Sequence, residues 1–188
     1  ALDVTEPSSI ANAVERVIAE GGRLDVLVNN AGYGQYGAIE EVSPEEWRAQ
    51  YEVNVFGSVA MIQACLPAMR QNGGGTIVNV SSIAGKIPIP FAAPYCSSKH
   101  ALEAISDALR IEVAPFGVRV VIIEPGPIGS NFGARARASV ERFLKRPGPY
   151  KEMYGGAEKA MNTDFAAGML SAESVARVIV RAIEARRP

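Results

Sequence analysis

Apolar positions change their period several times along the chain, and each change marks an element. Ile10, Val14, Val17 and Ile18 recur at helical spacing behind Thr5-Glu6-Pro7, which supplies a capping hydroxyl and a first-turn proline; Gly21-Gly22 ends the run. Asp25-Val26-Leu27-Val28-Asn29 is short and almost unbroken in its apolarity, as expected of a buried strand. Ser43-Pro44-Glu45-Glu46 spells a capping box, and the helix it opens is predicted to run toward Asn72 with a kink or split at Pro67. Gly73-Gly74-Gly75 turns the chain into a second strand, Thr76 to Ser81. Tyr95 to about Val113 is helical, with Leu102, Ile105, Leu109 and Val113 on one side; Pro115 and Gly117 stop it. Val118 to Ile123 is a third strand. From about 126 to 170 the sequence is irregular and rich in Gly and Pro, with one short helix near 134–145. Ser171 then caps a last helix that turns Val175, Val178, Ile179 and Ile183 inward.

Strand and helix alternate at the spacing of βαβ units, whose crossovers are right-handed. Strands that are apolar throughout imply a parallel sheet with helices on both faces, an α/β fold. Its ligands belong at the carboxyl ends of the strands. The segments that carry function are therefore Asn29 to Gly32, Ser81 to Gly85 and Glu124 to Ser130.

Composition narrows the class. The 188 residues are 48% hydrophobic and 21% charged with a net charge of -1, which suits one ordered domain and excludes nucleic-acid binding by bulk charge. Two cysteines, Cys65 and Cys96, rule out a disulfide scaffold and point to a reducing, cytoplasmic setting. A single histidine, His100, leaves little for a His-rich metal site or a Ser-His-Asp triad. No apolar run approaches the roughly 18 residues of a membrane helix, and no basic-then-apolar leader opens the chain, so no stable membrane insertion is expected. Gly32-Tyr33-Gly34-Gln35-Tyr36-Gly37 matches G-x-G-x-x-G after a strand. The dinucleotide fingerprint requires a helix to begin at those glycines, and here the helix cap is Ser43, so the segment reads as a loop.

Tyr95 and Lys99 carry the chemistry. At i and i+4 in the first turns of a helix, their Cβ atoms stand about 5–6 Å apart on one face. A phenol with an ordinary pKa of about 10 is a poor base, and a neighbouring ammonium together with a helix N-terminus favours the phenolate. Such a tyrosine exchanges a proton with an alcohol or carbonyl. Ser82 lies just past a strand, where its hydroxyl can enter the same site. Asn54 falls inside the long helix, where asparagine is a mediocre former; its amide can hold a water or loosen the helix locally.

Taken in order and spacing, Leu2-Asp3-Val4-Thr5, Asn29-Asn30-Ala31-Gly32, Asn54, Val80-Ser81-Ser82, Tyr95-Cys96-Ser97-Ser98-Lys99 and Pro125-Gly126-Pro127-Ile128-Gly129-Ser130 resemble the single-domain short-chain dehydrogenases/reductases across nearly the whole chain. The resemblance implies a Rossmann-like, doubly wound parallel sheet in three α/β/α layers. It implies NAD or NADP as cofactor and reversible alcohol–carbonyl oxidoreduction. Tyr95 is then the proton donor or acceptor. Lys99 lowers its pKa and holds the nicotinamide ribose, and Ser82 binds the substrate oxygen. Asn54 positions Lys99 through water. Asp3 and Val4 meet the adenine; Asn30, Ala31 and Gly32 line the ribose side; Pro125, Gly126 and Ile128 meet the nicotinamide end; Ser130 stands where threonine is more frequent.

Against that family the first two βα units with their glycine-rich loop, most of the third strand and the last strand are missing. An isolated chain of this extent is expected to be inactive. The stretch 126–170 corresponds to the family's substrate lid. Its Phe132, Phe143, Tyr150, Met153, Tyr154, Met161, Phe165 and Met169 imply an apolar alcohol or ketone. A homodimer or homotetramer through the helices at 43–72 and 95–113 is implied for the full-length protein. The competing readings are a lyase or isomerase on the same scaffold and a non-catalytic nucleotide-binding protein. Arg135, Arg137, Arg142, Lys145 and Arg146 read as a solvated helix face rather than a nucleic-acid patch.

Overall fold

The computed structural model describes residues 1–145, 147–156 and 169–185. Three parallel strands, β1 (Val26–Asn29), β2 (Gly75–Val80) and β3 (Val118–Ile123), lie side by side in the order β1-β2-β3. Their register sets Leu27, Ile77 and Val120 in one row and Val28, Val78 and Val121 in the next. Because side chains alternate across a sheet, these rows occupy opposite faces. The first face is covered by α1 (Pro7–Gly21), α3 (Ser58–Gln71) and α4 (Ala93–Val113). Ile10, Met61, Ile62, Met69, Leu109 and Val113 close over Leu27, Ile77 and Val120 as the main core. The second face carries the last helix, which is α6 (Ala172–Glu184). Arg119 of β3 points to that face and fastens α6 by donating to the carbonyls of Ile183 at 2.8 Å and Ala185 at 2.5 Å, the orphan acceptors of the helix end. Beyond the reach of α6, Val26 and Val28 remain 37% and 38% exposed. The architecture is the parallel α/β sheet that the alternation predicts, and it fits the Rossmann-like form that the resemblance implies.

Local chemistry explains the ends. Gly22 takes a left-handed conformation behind α1, and its N–H bonds Ile18 O at 2.8 Å. At Ser43 the capping box is complete: Glu46 N–H donates to Ser43 Oγ at 3.3 Å and Ser43 N–H to Glu46 Oε2 at 2.9 Å. The break expected at Pro67 is elsewhere. Helix α2 (Pro44–Tyr51) passes through a π-helical stretch, Glu52–Gly57, into α3, which continues unbroken past Pro67. Asn54 lies in that stretch and bonds sideways, to Tyr33 and Ser98, so the local loosening has a side-chain cause. Buried Cys65 and Met69 anchor the helix on either side of Pro67. The helical span Pro44–Gln71 is long and apolar enough to cross a bilayer by length and composition alone; here Met61, Ile62 and Met69 on its inner face pack into the core.

Residues 126–170 are more regular than predicted. Ile128–Gly129 (β4) pairs in parallel with Leu170–Ser171 (β5), and α5 runs Asn131–Leu144. It starts earlier than expected because Ser130 caps it, accepting from Phe132 N–H at 3.3 Å. Of the side chains expected to line a substrate lid, Phe143 and Tyr154 are buried in a second cluster with Ala38, Val42 and Val140. Met161, Phe165 and Arg146 lie outside the described residues.

Candidate active site

The carboxyl ends of β1 and β2 meet the start of α4. Tyr95 enters in the first turn of α4 and is buried between Tyr36, whose ring stacks at 6.1 Å, and Phe132 of α5 at 5.3 Å. Burial pushes its phenol above the ordinary value, and the nearby Ser82 hydroxyl pulls the other way. Ser82 caps the short turn Ile83–Gly85 and accepts from Ala84 N–H at 3.1 Å, which leaves its own O–H free to donate within the site. Lys99, one turn on, is equally buried. Its Nζ donates to Val80 O at 2.7 Å and stands 5.9 Å from the centre of the Tyr95 ring. Desolvation pushes the amine down to about 8, with Glu103 opposing. The expected fall in the Tyr95 pKa is therefore not what this geometry produces. The cation faces the strand end, and burial outweighs the help from Ser82.

Asn54 ties the site together from the π stretch. Its Nδ2 donates to Tyr33 O at 3.0 Å and Ser98 Oγ at 3.1 Å, and its Oδ1 accepts from Tyr33 N–H at 3.1 Å. These bonds hold the loop after β1 against α4; Lys99 is not among its partners. A Cβ on Gly32 would stand 3.1 Å from Asn54 Oδ1, so this loop is close to its tightest approach there. The G-x-G-x-x-G segment is a loop that reaches α2 only at Pro44, with no helix at its glycines.

Asp3, Val4, Ala31 and Gly32 share a cavity of about 510 Å³ with Tyr33, Val53 and Arg135. Asp3 is exposed, and two bonds from Thr5 hold its carboxyl below the ordinary range. Arg135 of α5 lies over the Tyr33 ring at 4.1 Å. Asn30 is exposed beside this cavity, and Gly126 faces open space at the end of β3. Pro125 is buried and accepts from Ile83 N–H at 3.1 Å; Ile128, half-buried, is engaged in the β4–β5 pair. A hollow at the opposite, amino end of the strands, around Arg23 and Asn72, is remote from all these groups.

Several groups at the site escaped the sequence reading. Gln50, fully buried, accepts from Gln35 N–H at 2.6 Å and donates to Tyr33 O at 2.8 Å. Asn29, at the end of β1, turns inward and donates to Asn79 Oδ1 at 2.9 Å, and Asn79 donates to Ser106 Oγ at 2.8 Å. This polar chain crosses from β1 through β2 to α4. A polar residue inside an otherwise apolar strand, Asn79, was the available signal.

Residues 1–141 match the short chain dehydrogenase family. The chain belongs to that family. It is 40% identical over its whole length to an NADPH-dependent 3-dehydrocapnine reductase of Ornithobacterium rhinotracheale, of which it covers 67%. It is 46% identical over 131 residues, 70% of the chain, to a 3-ketodihydrosphingosine reductase of Bacteroides thetaiotaomicron, of which it covers 49%. Among solved structures, a short chain dehydrogenase/reductase from Burkholderia phymatum in complex with NAD superposes with a TM-score of 0.82 at 26% identity, over 99% of this chain and 67% of that one. The short chain dehydrogenase chain described here thus spans about half to two thirds of the length of these relatives.

Proposed function

We propose that the protein carrying this chain is an NAD(P)-dependent oxidoreductase that interconverts an alcohol and a carbonyl on a largely apolar small molecule, with Tyr95 as general acid and base. One observation carries this reading: the Tyr95 phenol is buried against aromatic rings, close to the Ser82 hydroxyl and with the Lys99 amine beside the same ring. In reduction, Tyr95 gives its proton to the carbonyl oxygen as negative charge develops there; in oxidation it takes the proton back. Ser82 donates to the same oxygen and fixes its place. Lys99 balances the charge left on the phenol, and Asn54 keeps the loop after β1 in register with α4. A bound nicotinamide cofactor supplies or accepts the hydride.

The residues present fit most of that cofactor. The cavity of about 510 Å³ brings Asp3, Val4, Ala31 and Gly32 together for the adenosine half, with Asn30 at its edge. Lys99 suits the nicotinamide ribose, and Pro125, Gly126 and Ile128 the nicotinamide end. Among the described residues no glycine-rich helix start is present to take the diphosphate, so residues 1–188 alone are proposed to be inactive. Tyr36 and Phe132 around the phenol favour an apolar substrate, and two relatives are named as reductases of a 3-keto and a 3-dehydro compound. Ala104, Ala108 and Ile111, exposed along one stripe of α4, suit a homodimer or homotetramer contact. The buried free thiols suit a reducing, cytoplasmic setting.

The test expresses the complete parent reading frame and residues 1–188 side by side and follows reduced-nicotinamide absorbance across a panel of apolar ketones. Turnover by the complete polypeptide alone is expected. No turnover by it with any ketone, or with the matching alcohols in reverse, overturns the activity; turnover by residues 1–188 overturns the proposed inactivity.

A further inference from the structure

Three ionisable side chains step down one side of α4 at intervals of four: Tyr95, Lys99 and Glu103. All three are buried, at 7%, 7% and 6% exposure. Two belong to the proposed chemistry; Glu103 does not. Its carboxylate lies against the turn that follows β2, where space is so short that a Cβ on Gly85 would come within 3.1 Å of Glu103 Oε1 and 2.7 Å of Ser81 Oγ. Neither Glu103 oxygen has an aligned hydrogen-bond donor among the described residues, and the Ser81 hydroxyl beside it has no partner either. The contact it does make is an ion pair, Lys86 Nζ to Oε2 at 2.8 Å. Lys86 is half exposed and is shared with Glu124 at the end of β3, at 3.4 Å.

A buried carboxylate whose one charged contact is a half-exposed lysine is weak evidence of a stabilising role. Its position suggests a different use. Residues at i and i+4 on a helix are neighbours, so Glu103 stands beside Lys99, and Lys99 is held against Val80, the residue before Ser81. The charged and titratable groups around this pair are few. Tyr95 and Lys99 come from α4, Lys86 from the turn after β2, and Glu124 from the end of β3. Glu124 is engaged by Lys86 at the surface, which leaves Glu103 as the buried counter-charge for Lys99.

We propose that Glu103 is a positioning residue for Lys99: its carboxylate keeps the amine charged against the end of β2, and Lys86 is an outer cation that draws off part of that carboxylate's influence. The electrostatics agree, since Glu103 is the group that opposes desolvation at Lys99 and the first cause of the rise at Lys86. The proposal predicts opposite effects from two neighbouring substitutions. Without Glu103, Lys99 loses its proton at lower pH. Without Lys86, the whole carboxylate acts on Lys99, which then keeps its proton to higher pH. A merely structural role for either residue gives no such opposition.

The importance of Lys99 rests on the proposed oxidoreductase function, but the pairing itself is measurable without turnover. The test labels lysine at Cε with carbon-13 in the complete polypeptide and assigns Lys99 by its loss in Lys99→Met. Its titration is then followed in Glu103→Gln, Glu103→Asp and Lys86→Met, alongside the pH profile of kcat/KM. Glu103→Gln should lower the Lys99 midpoint measurably, since it removes the opposite charge one helical turn away. Glu103→Asp should restore part of it, Lys86→Met should raise it, and the alkaline limb of kcat/KM should move in the same directions. An unchanged Lys99 midpoint in folded Glu103→Gln overturns the proposal. So do midpoints that move the same way in both variants; if Glu103→Gln does not fold, an unmoved midpoint in the surface variant Lys86→Met decides against it. Opposed shifts in a protein with no nicotinamide turnover would support the pairing and overturn the oxidoreductase reading instead.

Discussion

Replacing Lys99 with methionine isolates what the buried amine does to stability. Methionine keeps the length of the stem and removes the charge. The folded protein holds this amine at about 8 against an ordinary 10.5, because it is desolvated beside the end of β2. The unfolded chain therefore binds the proton more tightly, and the folded state gains stability as pH rises between those two values. Below about pH 8 the full penalty is present; above 10.5 it is gone. At about 1.4 kcal/mol per pH unit the gap amounts to about 3 kcal/mol. Lys99→Met also loses the bond to Val80 O, a term of about 1–3 kcal/mol that does not change with pH in this range. The stability of the variant relative to the parent should therefore fall by about 3 kcal/mol between pH 7 and pH 10.5, whatever its absolute value. Urea unfolding of both proteins at a series of pH values measures this, with Lys151→Met as an exposed control. A difference that stays constant with pH refutes the reasoning.

Three other outcomes follow from packing. Gly74→Ala should destabilise by about 2–4 kcal/mol in urea titrations, because residue 74 has φ 145° and the added Cβ would meet Gly117 O at 2.6 Å, a backbone atom that cannot rotate away. Asn79→Leu should cost about 1–3 kcal/mol by the same measurement, since it removes the bonds to Asn29 and Ser106 and leaves Asn29 only a long bond to Ser58 O at 3.5 Å; a double change, Asn29→Leu with Asn79→Leu, should cost less than the sum of the single changes. Ser43→Ala should cost about 1 kcal/mol and increase amide exchange in the first turn of α2, because the capping box is complete there.

The parts of this molecule that obey a period or a local cap were legible in the sequence. The strand Val118–Ile123, the capping box at Ser43 and the stop at Gly117 follow from rules that need only a few consecutive residues. What escaped depends on residues far apart in the chain. A loosening at Asn54 was legible from its poor helix propensity, but its π-helical form, made with bonds to Tyr33 and Ser98, and the unbroken run past Pro67 were not. The aromatics of 126–170 divide in space: Phe132 reaches Tyr95, whereas Phe143 and Tyr154 fill a separate core, and their spacing in sequence is the same kind of scatter. Tyr95, Lys99 and Ser82 were each visible as candidates, and the structure brings them to one point. The direction of the Tyr95 shift was not visible, because desolvation depends on neighbours such as Tyr36 that the local motif does not contain.

The central claim is that the Tyr95 phenol moves the proton. Tyr95→Phe in the complete polypeptide, assayed for both dinucleotide binding and ketone reduction, tests it most directly. Binding should persist, while kcat falls by at least about 100-fold, the lower end of what a positioned acid contributes. Reduction at the parent rate by a Tyr95→Phe protein would contradict the account.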